Sequence, residues 1–204
     1  MNSTNLMVAL KYLSKDTHLG KVVKKGPKPD FKPARNVYEA LVRSIVYQQL
    51  SGKAAGTILR RFLALFPGTG YPKPEAVLKM SIAKMRSAGL SGQKTAYIKD
   101  LSAKFLDGTI EPRKFKVMTD EEIRTHLIAV KGIGRWSADM FLMFALNRPD
   151  VLPTGDLGIR KGFQELFKLK NLPDAKKMER FAEPWKPYRT VASWYLWRIA
   201  DSLK

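Results

Sequence analysis

The chain has 204 residues, 45% of them hydrophobic, and sets 37 Lys and Arg against 18 Asp and Glu for a formal charge of +19. With no cysteine and only two histidines, disulfides, thiolate zinc sites and cysteine-ligated iron–sulfur clusters are excluded, and a His-rich metal site lacks ligands. No apolar stretch is long enough to cross a bilayer, and the interrupted start MNSTNLMVALKYLSKD makes a poor signal peptide. The expectation is therefore an intracellular protein whose partner is a polyanion, with nucleic acid ahead of a membrane surface. Composition alone also fits a merely basic globular protein.

Helical periodicity dominates, and alternating runs bounded by hairpin turns are absent, so the fold class expected is all-α with about ten helices. NLMVALKYL reads as a first helix. GKVVKKGPKPDFKPAR, residues 20–35, is rich in Pro, Gly and Lys and reads as a solvated connector. Over residues 35–50, Val37, Leu41, Ile45 and Val46 share one helical face, and Gly52 marks a break. KAAGTILRRFLALF is the next helix. Two short ones follow, the second capped by Ser81 and stopped at Gly89. GQKTAYIKDLSAKFLDG predicts a helix ending at Gly108. Thr119 and Glu122 have capping-box spacing, so a helix starts there and runs to the interruption at Gly132 and Gly134. RWSADMFLMFAL follows at once. After Pro149 and Pro153 come LGIRKGFQELF, DAKKMERFA and YRTVASWYLWRIADSL. A faint echo between MRSAGLSGQKTAYI and LIAVKGIGRWSADM hints at related hairpins in two halves.

VKGIGRW carries the chemistry. Glycine lets the main chain approach a ligand closely, and the first N–H groups of the following helix can receive an anion. Lys131 and Arg135 add positive charge, and Ile133 between the glycines is expected to point inward. This arrangement suits a DNA phosphate gripped without reading sequence. It equally suits a tight interhelical turn with no ligand; the charge of +19 favours phosphate.

LIAVKGIGRWSADMFLMFAL followed by DVLPTGDLGIRKGF resembles the helix-hairpin-helix DNA glycosylase superfamily, in particular its 3-methyladenine DNA glycosylase II branch, which removes alkylated purines. SIVYQQLSGKAA and RFAEPWKPYRTVASWYLWRIA extend the resemblance from about Arg35 onward. The length matches the compact form, without the N-terminal β-rich domain of some relatives. The resemblance implies one unit over 1–204 made of two intertwined helical lobes with a cleft between them. Residues 1–34 would form the N-terminal helix and connector, 35–115 a wedge-loop lobe, and 116–204 the hairpin, catalytic Asp and C-terminal helix.

The resemblance assigns catalysis to Asp156, in a loop just before a helix, where the dipole favours a negative charge. By itself Asp156 reads as a helix cap; both roles can coexist. Asp139 and Asp150 are rival carboxylates, and the motif match selects Asp156. The implied reaction is hydrolysis of the N-glycosidic bond through an oxocarbenium-like transition state, on a base flipped from the stack. Trp136 and Trp197 match pocket tryptophans, with Met140 and Tyr47 beside them, whereas Trp185 and Trp194 read as core. Leu50 would enter the minor groove as an apolar wedge, flanked by Gln49 and Ser51. Lys131, Gly132, Gly134, Arg135 and Thr154 would hold the backbone. The lysine of glycosylases that also cut the strand is replaced by Trp136, so a monofunctional enzyme is implied. No cofactor is expected, save a Na+ or K+ at the carbonyls of Ile128, Val130 and Ile133. The partner implied is duplex DNA with damaged bases, the state a monomer, and the process base excision repair. The alternatives are a non-catalytic hairpin DNA-binding protein and a bifunctional oxidised-base glycosylase/lyase.

Overall fold

A computed structural model describes residues 3–68 and 70–202. Among these residues there are helices and no strands, as the periodicity predicts. The chain forms two compact units, one of residues 1–33 with 139–204 and one of residues 34–138. The hairpin therefore belongs with the wedge-loop segment, whereas the sequence reading groups it with Asp156.

In the second unit, helices α3 (Val37–Tyr47), α4 (Gly52–Leu63), α5 (Pro74–Lys79), α6 (Ile82–Ser87), α7 (Gly92–Leu106) and α8 (Asp120–Ile128) follow in order. Five of these six starts are capped by a side chain, and α5 opens on Pro74 instead. Asn36, Ser51, Ser81, Ser91 and Thr119 all accept a hydrogen bond from the N–H three residues on, and Thr119 completes a capping box with Glu122. The long α7 packs against α3, α5 and α6, burying Leu41, Val42, Ile45, Ile98 and Leu101. Gly52 does not break a helix: it is the first residue of α4, and the break lies at 48–51, where Gln49 adopts φ 55°.

In the first unit, α1 (Ser3–Leu13) and α2 (Gly20–Lys25) precede α10 (Leu157–Leu166), α11 (Ala175–Ala182) and α12 (Arg189–Asp201). Helix α9 (Arg135–Met140) leads into this unit and continues as a π-helical turn, Phe141–Ala145. Around α12, Leu13, Leu19, Phe163, Trp185 and Leu196 form one core, each large side chain contributing about 1.5–3 kcal/mol by burial. The connector is not simply solvated. Its first six residues are α2, and Val23, Pro29 and Phe31 are buried while the lysines between them face out. The charge run masks a short amphipathic segment. Trp185 is core as expected; Trp194 is half-buried, with the Arg198 guanidinium 5.2 Å from its ring centroid.

Helices α10 and α12 touch backbone to backbone at Gly162. A Cβ there would lie 2.3 Å from the Leu196 carbonyl oxygen, and a rigid backbone cannot yield as a side chain can. Gly162→Ala should therefore destabilise the protein by about 1–3 kcal/mol, read as a lower midpoint in thermal unfolding.

Candidate active site and nucleic-acid interface

Asp156 ends the Pro-Thr-Gly loop and caps α10, its Oδ1 accepting the Ile159 N–H at 2.8 Å. The same oxygen accepts the indole N–H of Trp197, also at 2.8 Å. Two donors thus fix one carboxylate oxygen, one from a helix N-terminus and one from α12. Their approach depends on Gly158, where a Cβ would stand 2.7 Å from Trp197 Cδ1. The Thr154 and Asp156 N–H groups turn back onto the carbonyls of Leu152 and Pro153 at 3.0 Å, which shapes the loop. Trp197 is half-buried and stacks on Phe144, with centroids 5.9 Å apart and planes 27° apart. Phe144 itself is 41% exposed and is carried by the π turn, a feature frequent at functional sites. Met140 is half-buried in the same unit.

The rival carboxylates are differently placed. Asp150 is held by Arg189, Nε to Oδ1 at 2.7 Å and Nη2 to Oδ2 at 2.8 Å, so it ties the loop to the start of α12. Asp139 is only 4% exposed.

The second unit holds the hairpin and the wedge loop together. Gly132 has φ 80°, the left-handed region that glycine adopts freely, and Gly89 has φ 97° at the corresponding turn of the echoed segment. Ile133 is buried, as expected of the residue between the glycines. Its N–H donates to the Val130 carbonyl at 3.1 Å, and the Gly134 carbonyl accepts from Ala138 to open α9. Lys131 donates its backbone N–H to Asp100 Oδ2 at 2.8 Å. Arg135 donates to both oxygens of Glu121, 3.1 and 3.4 Å away. This hydrogen bond holds the Glu121 carboxyl below its ordinary range. Trp136 is 51% exposed. Ile128 is exposed and Val130 buried, but a main-chain role does not depend on either side chain.

Leu50 is 39% exposed at the loop between α3 and α4. Gln49 beside it is exposed, and Ser51 uses its hydroxyl to cap α4. Tyr47 lies under the Arg43 guanidinium, 4.1 Å from its ring centroid. Two residues that sequence reasoning missed hold this loop. The Gln48 side-chain amide donates to the Gly132 carbonyl at 2.9 Å, joining wedge loop to hairpin. The Lys94 ammonium donates to the carbonyls of Val46 and Gln48 at 2.7 and 2.8 Å, closing the end of α3. Its burial there lowers its pKa. Phe144 was missed as well. Its place in an apolar run hides its exposure.

Among the described residues no group of His, Asp and Glu could hold a metal ion, and no helix is long and apolar enough to cross a membrane.

A sequence model described as HhH-GPD superfamily base excision DNA repair protein matches residues 42–187. The chain belongs to this superfamily. The match takes in the wedge loop, hairpin and Asp156, but stops short of α12 and Trp197. Among HhH-GPD relatives, the chain is 35% identical over 184 residues to DNA-3-methyladenine glycosylase 1 of Schizosaccharomyces pombe, covering 86% of this chain and 81% of that one. A solved structure of the S. pombe 3-methyladenine DNA glycosylase in complex with abasic DNA superposes with a TM-score of 0.79 at 34% identity, covering 94% and 95% of the two chains. A DNA-3-methyladenine glycosidase from Bacillus halodurans gives 0.85, also at 34%, covering 94% and 88%. The resemblance to helix-hairpin-helix glycosylases and the all-helical fold are thereby borne out.

Proposed function

We propose that this HhH-GPD protein is a monofunctional DNA glycosylase that hydrolyses the N-glycosidic bond of alkylated purines in duplex DNA and leaves an abasic site. The observation that carries this reading is the Asp156 carboxylate, oriented by the Ile159 and Trp197 N–H groups inside the region the family shares. The C1′–N bond breaks with its electron pair leaving on the purine, a water oxygen bonds to C1′, and the water proton passes to solvent. Asp156 stabilises the positive sugar as this occurs. An N3- or N7-alkylated purine is already cationic, so it leaves without a strong general acid.

The base reaches Asp156 by flipping, at a cost of a few kcal/mol. Leu50 fills the gap, with Gln49 and Ser51 against the neighbouring strand. The exposed Trp136 face offers a cationic purine cation–π attraction of about 0.5–2 kcal/mol, and in the unit that carries Asp156 the side chains offered to the base are Trp197 and Met140. The N–H groups opening α9, with Lys131 and Arg135, receive a phosphate, and Thr154 is a further contact to the DNA backbone. Three main-chain carbonyls, those of Ile128, Val130 and Ile133, form a hard-oxygen donor set suited to Na+ or K+. Val130 already accepts one hydrogen bond, but a carbonyl has a second lone pair. The enzyme acts as an intracellular monomer and needs no organic cofactor.

Methylated duplex incubated with the protein and then heated in alkali should break at alkylated purines. Borohydride should trap no Schiff base, because no lysine stands at the position of Trp136. Absence of breaks with binding intact would make the chain a non-catalytic hairpin protein, and trapping would make it a lyase. Duplex affinity should also fall linearly on a log–log plot against salt, with a slope of about −0.9 per phosphate neutralised.

A further inference from the structure

The connector between α2 and α3 has no role in the reading above, yet it is stitched to the elements that hold Asp156. The Tyr195 hydroxyl on α12 donates to the Pro27 carbonyl at 3.1 Å. A Cβ at Gly26 would stand 2.9 Å from the Tyr195 ring, so the connector lies close against that helix two residues before Trp197. Farther along, the Asn147 amide donates to the Phe31 carbonyl at 3.2 Å. The Phe31 ring is buried and lies 6.0 Å from Phe144, centroid to centroid. Phe144 in turn stacks on Trp197, and Trp197 donates to Asp156.

We infer that Phe31 is a positioning residue: from the lysine-rich connector it backs the Phe144 ring, which sets the plane of the Trp197 indole and so the orientation of the Asp156 carboxylate. Phe31 and Trp197 flank the stretch matched to the family model, residues 42–187, whereas Phe144 and Asp156 lie within it. Phe144 is 41% exposed on a π turn, and one open face leaves a ring free to change rotamer unless the other is packed. Phe31 supplies that packing, and Asn147 and Tyr195 fix the backbone that carries it. Truncating Phe31 loosens Phe144, tilts the indole, and weakens the bond to Oδ1. The catalytic part of this inference rests on the glycosylase reading; the structural part does not.

The test uses the full chain with Phe31→Leu, Phe31→Tyr and Asn147→Gly. The last keeps the left-handed backbone of residue 147, φ 53°, and removes the bond to Phe31. Two quantities are read: the single-turnover excision rate on saturating methylated duplex, and the Trp197 indole N–H resonance with its hydrogen exchange, assigned by loss of the signal in Trp197→Phe. Phe31→Leu should slow excision about threefold to tenfold at unchanged duplex affinity. It should also shift the indole signal and speed its exchange. Phe31→Tyr should restore both, and Asn147→Gly should move both in the direction of Phe31→Leu by less. Leu10→Ala, a deletion elsewhere in the same core, should lower stability without moving the indole signal. The inference is overturned if Phe31→Leu leaves the resonance unchanged, or if Leu10→Ala moves it equally. Should the wild type excise nothing, the glycosylase reading falls alone, and the resonance still decides whether Phe31 sets the indole.

Discussion

Asp156→Asn should slow base release by orders of magnitude while leaving the fold and DNA affinity intact. Asn is as good a helix cap as Asp. Its side-chain oxygen can accept both the Ile159 N–H and the Trp197 indole N–H that Oδ1 accepts at 2.8 Å. The variant therefore removes the charge and keeps the shape. If the carboxylate stabilises an oxocarbenium-like sugar, its loss should cost about 10²- to 10³-fold in single-turnover rate, the range seen when one preorganised electrostatic partner is removed. Duplex binding, proposed for the hairpin and the wedge loop, should change little. Thermal unfolding should report an unchanged midpoint. Equal breakage by wild type and variant would reject Asp156 as the catalytic group and return it to the role of a cap.

What was legible in the sequence follows from the range of the forces involved. The caps at Ser81, Thr119 and Asp156 could be read because a cap is satisfied within three residues. The hairpin was legible because glycine flanking one apolar residue implies a buried Ile133 and an unusual backbone. What stayed hidden needed partners far apart in the chain. The Trp197 bond to Asp156 spans 41 residues, Gln48 to Gly132 spans 84, and Asn147 to Phe31 spans 116. No periodicity encodes such meetings. The connector misled for a related reason: its lysines dominate the composition, while its buried side chains, those of Val23, Pro29 and Phe31, are single apolar groups scattered among them. The π turn that exposes Phe144 leaves no mark in an apolar run that reads as plain helix. Gln49 in the left-handed region is likewise invisible, because Gln has no special preference for it.

The two hairpin glycines should behave oppositely, and the contrast separates fold from function. A Cβ at Gly132 would stand 2.2 Å from the Tyr97 ring, at a φ of 80° that L side chains rarely adopt. Overpacking and left-handed strain act together there, so Gly132→Ala should destabilise the protein by about 2–4 kcal/mol. It should also drag on the Gln48 bond to the same residue's carbonyl. A Cβ at Gly134, by contrast, meets nothing within 4 Å. Gly134→Ala should unfold at the wild-type midpoint. Yet a methyl in that open space beside the start of α9 would obstruct a phosphate that closed on the turn. Duplex affinity should drop about tenfold, the scale of losing one or two charge-assisted hydrogen bonds, and the salt slope should flatten by about one phosphate. Binding left intact in Gly134→Ala would mean the hairpin is only a tight turn, whatever Asp156 does. The measurement therefore isolates the phosphate grip from the chemistry, because Gly134 touches neither the core nor the carboxylate.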